Sequence, residues 1–172
     1  NVAPGNYQVC EVQQAGWIQT YPSDNNGCYA ISINVSGETN QMKKFGNQGR
    51  GTVEVRKTVS PATDPGKFNL QVDDTTQATN VGNGGTTGAV SVAAGTHGVA
   101  EIAGTGTSLT NYTSSWVCVN GQTTTRGTGT AADVNVGPGQ NAVCTFTNAR
   151  KTGTIKVTKE VVNDDGGAAV AT

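Results

Sequence analysis

Three polar residues of this chain occupy positions where apolar ones are expected. Lys57 shares the parity of Val53, Val55 and Val59, Glu101 that of Val99, and Asn148 that of Cys144 and Phe146. Side chains alternate across a strand, so each of the three points with its apolar neighbours toward a core. A lone buried ammonium or carboxylate is costly and is driven toward its neutral form. Brought together in an apolar interior, the three groups suit one reaction. A neutral lysine amine attacks the asparagine side-chain carbonyl, a protonated glutamic acid hydrogen-bonds that carbonyl and moves protons, ammonia leaves, and an amide cross-link remains. The competing reading of the same residues is plain. Lys57 snorkels from a sheet edge into water, Glu101 pairs with it as an ordinary ion, and Asn148 caps a turn.

The elements that must position these groups repeat. "GTVEVRKTV" at residues 51–59 returns as "GTIKVTKEV" at 153–161, and both alternate with a lysine (Lys57, Lys159) in phase with the β-branched residues. Period two with β-branched residues predicts half-buried strands. "VAPGNYQVCEV" (2–12) matches "VAAGTHGVAEI" (92–102), which pairs Glu11 with Glu101. "FGNQGRGTVEVRK" (45–57) matches "FTNARKTGTIKVTK" (146–159) with one insertion, which pairs Asn47 with Asn148. The period gives three segments. Residues 1–50 are the back portion of one β-sandwich repeat, 51–150 a complete repeat, and 151–172 the opening strand of another or a strand donated to a neighbouring copy. Strands are expected near 51–59, 67–73, 88–92, 96–102, 112–119, 131–136 and 142–148, with the Gly-rich stretch 80–88 as a loop. Seven short strands in about a hundred residues predict two packed sheets.

Composition agrees with an all-β chain. The 172 residues include 24 Gly and 26 Thr, only 13% are charged, and no apolar stripe of helical period appears. A net charge of -1 without a basic patch argues against nucleic acid as a partner. No apolar run has the length of a membrane span, and no signal peptide is visible. The first residue is Asn rather than Met, which suggests a processed product or a fragment.

Four cysteines, Cys10, Cys28, Cys118 and Cys144, show no CxxC spacing, and a single His cannot complete metal sites. Three connectivities exist for them. One bridge per repeat is the simplest and favours Cys10–Cys28 and Cys118–Cys144, the first pair outside the core by parity and the second inside. The triplets beginning at Asn34 (Asn-Val-Ser) and Asn111 (Asn-Tyr-Thr) fit N-glycosylation acceptors. Bridges and sequons together point to an oxidising, extracellular location.

The strand with an in-line lysine, the "G.Y.v.E" segment, the terminal "F.N" before a new repeat and the phrase "PGNYQVCEVQQAGWIQTYP" resemble the Cna-B-type, prealbumin-like (SpaA-like, Ig-like) β-sandwich repeats of bacterial surface adhesins and pilins. The resemblance spans nearly the whole chain through short motifs. It implies an intramolecular isopeptide bond between Lys57 and Asn148 with Glu101 as helper, a bond that some members of the family lack. No sortase signal of the "LPxTG" type occurs. "YPSD" at residues 21–24 lacks the lysine that a pilin assembly motif needs.

Other candidates are weaker. His97 has no second ligand nearby. Asp73–Asp74 and "NDDGG" (163–167) carry oxygen ligands for calcium but lack a spaced acidic loop, so turns are expected. Ser114 and Ser115 with His97 do not sit in a nucleophile elbow. Trp17 and Trp116 are expected as core anchors. No cofactor or metal is called for, and no turnover enzyme.

The function expected is therefore structural: a building block of a cell-surface stalk or filament, braced by disulfides and Lys–Asn amides. The alternative is an adhesin module that binds a host protein or glycan through exposed loops. Residues 1–50 hold Glu11 and Asn47 without a matching lysine, and 151–172 hold Lys159 without those partners. The expected partners are therefore neighbouring copies joined head to tail by strand addition, or flanking repeats of one tandem array.

Overall fold

The computed structural model describes residues 2–39, 42–161 and 166, and in it the alternation around Lys57 becomes the longest strand. Twelve strands occur among the described residues. They are β1 Gly5–Cys10, β2 Trp17–Tyr21, β3 Cys28–Ile33, β4 Gly46–Ser60, β5 Phe68–Val72, β6 Thr75–Val81, β7 Val90–Ala93, β8 Gly95–Ala103, β9 Tyr112–Asn120, β10 Thr123–Thr128, β11 Ala131–Val136 and β12 Asn141–Arg150. From Gly51 to Val59 every second residue of β4 is buried, and Pro61, which has no backbone N–H to donate, follows its end.

Two sheets face each other across the core. One runs β10-β9-β12-β4, with β2 and β7 also paired to β4, and the other runs β11-β8-β5-β6. β12 is the centre of the first sheet, antiparallel to β9 and parallel to β4, with Phe146 opposite Lys57. The interior is aliphatic: Val53, Val55, Leu70, Val72, Val99, Val136 and Phe146 bury against one another, and Val59, Phe68 and Tyr112 form a second cluster at one end. This is the all-β sandwich that the alternation predicts.

Within residues 51–150, two strands lie outside the expected set. β6 (TTQATNV) and β10 (TTTRGT) are Thr-rich, largely exposed, and sit at the outer ends of their sheets. An edge strand with no buried face has no apolar period to display, so the pattern that found the central strands is blind to it. The turns are clearer. Asp73 and Asp74 both have positive φ (48° and 58°) between the paired residues Val72 and Thr75, a two-residue hairpin turn that Asp tolerates. The expected Gly-rich loop is present but not idle. Lys57 N–H donates to Gly85 O at 2.8 Å, Thr87 N–H to Val55 O at 2.9 Å, and Val59 N–H to Asn83 Oδ1 at 2.8 Å, so the loop covers an edge of β4.

The first fifty residues form a thinner structure. β1 and β3 make a two-stranded antiparallel sheet, and β2 pairs with the start of β4. β2 and β12 lie end to end along one edge of β4, because Arg50 and Thr52, of equal parity, donate to Gly16 O (2.6 Å) and Gln140 O (2.9 Å). The turn before β12 closes on that junction. A Cβ at Gly51 would strike Val136 Cγ1 and come within 2.6 Å of Gln140 O, and one at Gly49 would lie 2.6 Å from Pro138 Cγ.

One expected strand does not form. Residues 151–160 carry no secondary structure and are exposed, with Ile155 at 92% and Val157 at 87%. An alternating segment becomes a strand only beside another, and among the described residues nothing pairs with it. Among the described residues, no helix is long and apolar enough to cross a membrane.

Candidate functional site

Among the described residues, Lys57, Glu101 and Asn148 are the buried polar and charged ones, exposed by 1%, 1% and 0%. β4 delivers Lys57 and β12 delivers Asn148 from one sheet, and β8 delivers Glu101 from the other. Lys57 Nζ lies 2.9 Å from Glu101 Oε2, an ion-pair contact between two side chains closed to solvent. The amine does donate to two backbone carbonyls, Phe146 O and Thr58 O, each at 3.1 Å. The ring of Phe68 covers it with its centroid 4.4 Å away. Burial pulls the Lys57 amine below the ordinary lysine value, against the opposing pull of Glu101. The direction is toward a neutral, nucleophilic amine.

Asn148 is the unusual member. Neither its Oδ1 nor its Nδ2 has a hydrogen-bond partner, and both are buried; Glu101 Oε1 is in the same state. Buried amides are normally satisfied, and leaving one unsatisfied costs about 1–3 kcal/mol. Asn148 pairs with Val59 and Phe146 with Lys57, so the amide and the amine stand on neighbouring strands that face one interior.

The alternating pattern did not disclose what seals the site. Tyr112 packs edge-on against Phe68 (centroids 5.4 Å apart), donates to Asp64 Oδ1, and accepts from Arg150 Nη1 at 2.8 Å. These partners lie far apart in sequence, and no local motif announces them.

The other candidates fall as follows. Cys10–Cys28 and Cys118–Cys144 are disulfides, each joining residues directly opposite on antiparallel strands, with Cα–Cα distances of 4.4 and 4.0 Å. The second is buried, and Cys10 is exposed. Asn47 Nδ2 donates to Glu11 Oε1 at 2.7 Å. Lys159 is exposed and apart from them, in the unpaired segment. Asn34 and Asn111 are exposed. His97, expected to lack a partner, has two: its Nδ1 is 2.7 Å from Asp73 Oδ2 and its Nε2 is 2.7 Å from Ala93 O. Neither serine at 114–115 engages it. Trp17, expected in the core, is 38% exposed, whereas Trp116 packs partly buried against it. No cluster of three metal-ligating side chains occurs among the described residues. The "NDDGG" stretch, Gly166 apart, lies outside them.

Two facing sheets with a lysine, a glutamate and an asparagine sealed between them define a prealbumin-type β-sandwich. Residues 52–150 match the SpaA_3 family, a prealbumin-like fold domain, and the chain belongs to that family. Among solved structures it is similar to the major pilin of Streptococcus pyogenes at 13% identity, covering 86% of this chain and 70% of the pilin with a TM-score of 0.38. A point mutant of that pilin gives 14%, 86%, 71% and 0.38. A T3.2 major pilin of the same organism gives 12%, 87%, 69% and 0.37. These are likenesses of fold, and no residue role is transferred from them. Among curated proteins none matches.

Proposed function

We propose that the chain is an extracellular structural protein, a building block of a cell-surface stalk or pilus-like filament, in which Lys57 and Asn148 become joined by an amide bond. The observation that carries this reading is the buried Asn148 amide, without a hydrogen-bond partner, in the strand that pairs with the strand of Lys57. The unprotonated Lys57 amine attacks Asn148 Cγ, and the Cγ–Nδ2 bond breaks. Glu101 takes one amine proton and passes it to the departing nitrogen, which leaves as ammonia. The bond forms once and regenerates no catalyst, so the protein is not a turnover enzyme. A covalent tie between adjacent strands resists the shear that a stalk bears, and two disulfides add to it. The test is a tryptic digest. A branched peptide containing Lys57 and Asn148, absent from Lys57→Ala, supports the reading, and two separate linear peptides refute it.

The repeat organisation belongs to the same proposal: 1–50 as part of one repeat, 51–150 as a complete one, 151–172 as the opening of a third. The pairing registers support it. Tyr7 faces Ile31 and Gly5 faces Ile33, as His97 faces Val134 and Gly95 faces Val136. β1–β3 thus corresponds to β8–β11, and β2 with the start of β4 corresponds to β9–β12. Neighbouring copies or flanking repeats then join head to tail, with the strand 154–161 added beside the head. The adhesin reading draws on Trp17, Ile18 and Tyr21, exposed along β2. Binding of the full chain to immobilised glycans, lost in Trp17→Ala/Tyr21→Ala, is its test.

A further inference from the structure

We infer that Tyr112, latched by Asp64 and Arg150, is a positioning residue for the Lys57–Asn148 reaction: it closes the amine to water only when β12 has brought Asn148 into register. The inference rests on the amide reading above and adds to it the device that times the attack.

The cover over the amine has two layers. Phe68, fully buried, lies on Lys57 Nζ with its centroid 4.4 Å away. Tyr112, 4% exposed, packs against Phe68 as the outer layer, in one cluster with Val59 and with Leu109 beside it. What holds Tyr112 down is polar. Its hydroxyl donates to Asp64 Oδ1, which also accepts from Gly66 N–H at 2.8 Å, and it accepts from Arg150 Nη1 at 2.8 Å. Arg150 Nη1 lies 3.6 Å from Asp64 Oδ2, and the guanidinium carbon lies 5.1 Å from the Tyr112 ring centroid. The Asp64 side chain is only 5% exposed, so its charge depends on these partners. The seat has no spare room, since a Cβ at Gly66 would strike the Tyr112 hydroxyl.

The latch joins the ends of the reacting strands. Asp64 lies in the loop that leaves β4, Arg150 is the last residue of β12, just beyond Asn148, and Tyr112 opens β9 directly opposite Arg150. Arg150 meets Tyr112 only when β12 is paired to its end, and in that register Asn148 stands between Ser114 and Val59. A frayed or slipped β12 leaves the latch unmade and the amine wet. A wet amine keeps its extra proton and has no lone pair for attack, whereas a dry one is driven to give it up. Burial already pulls the Lys57 amine below the ordinary lysine value. Among the described residues, the charged group in contact with the amine is Glu101 from β8; β12 presents the Phe146 carbonyl, and β5 presents Phe68 with Tyr112 of β9 behind it. Access of solvent is therefore what the latch controls.

Two measurements on the full chain test the latch. In Asn148→Ala, where the amine cannot react, carbon-13 NMR of Lys57 Cε follows its titration. Adding Tyr112→Ala, or Tyr112→Phe, which keeps the ring and removes both hydroxyl contacts, raises the Lys57 pKa. With Asn148 present, chains made by cell-free synthesis under oxidising conditions are followed by intact mass for the loss of one ammonia. Both Tyr112 variants slow that loss at pH 7 by about tenfold for each unit of pKa gained, and raising the pH by the same amount restores the rate. An unchanged Lys57 pKa in both variants overturns the inference, and so does a slowing by one factor at every pH, which marks a merely structural role. A wild-type chain that never loses ammonia overturns the amide reading and this role with it. A wild-type chain that loses it while both variants keep pace overturns the role alone.

Discussion

Lys57 Nζ and Glu101 Oε2 lie 2.9 Å apart on opposite sheets, in an interior from which both side chains are fully closed to solvent. Such a pair is weak evidence for stability, because desolvation offsets most of the attraction, but breaking it on one side is severe. In an Asn148→Ala background, where Lys57 keeps its free amine, Glu101→Ala therefore lowers the unfolding free energy by about 3–5 kcal/mol, since it leaves an amine buried without its partner. In the same background the double change Lys57→Met/Glu101→Leu loses much less. Denaturant titration of both variants checks the pair, and equal losses contradict it.

The Cys118–Cys144 bridge joins strands β9 and β12 beneath the core. Replacing both cysteines by Ala costs about 2–4 kcal/mol, as for a typical disulfide. Replacing Cys10 and Cys28 acts elsewhere. It leaves the main unfolding midpoint in place and speeds proteolysis within residues 1–50, because β1 and β3 have only each other as strand partners. Limited proteolysis with peptide mapping distinguishes the two outcomes.

His97 clasps two turns, and its two ring nitrogens both face acceptors. Partial burial pulls its pKa down, but the hydrogen bonds to Asp73 and Ala93 and the Asp73 charge together raise it above the ordinary value. A raised folded-state pKa means stability that is fully present below the unfolded value of about 6.5 and lost as pH rises through the folded value. Stability falls as pH rises above about 6.5. In His97→Gln that slope disappears, as followed by thermal denaturation across the range, and an unchanged slope removes His97 as its source.

Gly51 sits where β4 meets the turn before β12, and an added Cβ meets Val136 and Gln140 O, the latter a backbone atom that cannot swing away. Gly51→Ala destabilises by about 1–3 kcal/mol, in the range of overpacked cores. Gly84→Ala has no atom within 4 Å to strike and costs only the strain of its positive φ of 81°. Paired melts of these two variants measure the difference.

The site was legible in the sequence because its three residues break an otherwise apolar alternation, and burial follows parity. Lys57 among valines, Glu101 beside Val99 and Asn148 beside Phe146 all face inward as their spacing requires. What lay hidden was non-local or polar. β6 and β10 are edge strands with no apolar face to count. His97 finds Asp73, and Tyr112 finds Asp64, across long stretches of chain through hairpin geometry that spacing does not encode. Segment 154–161 shows the converse failure. Its alternation predicts a strand, but a strand also needs a neighbour, and the described residues offer none.

The central claim is that Lys57 and Asn148 end as one amide, and intact-mass spectrometry of the reduced full chain tests it most directly. The account predicts a mass one ammonia below that calculated from the sequence, restored to the calculated value in Lys57→Ala, Asn148→Ala and Glu101→Ala once the substitutions themselves are allowed for. A wild-type mass equal to the calculated one would contradict it.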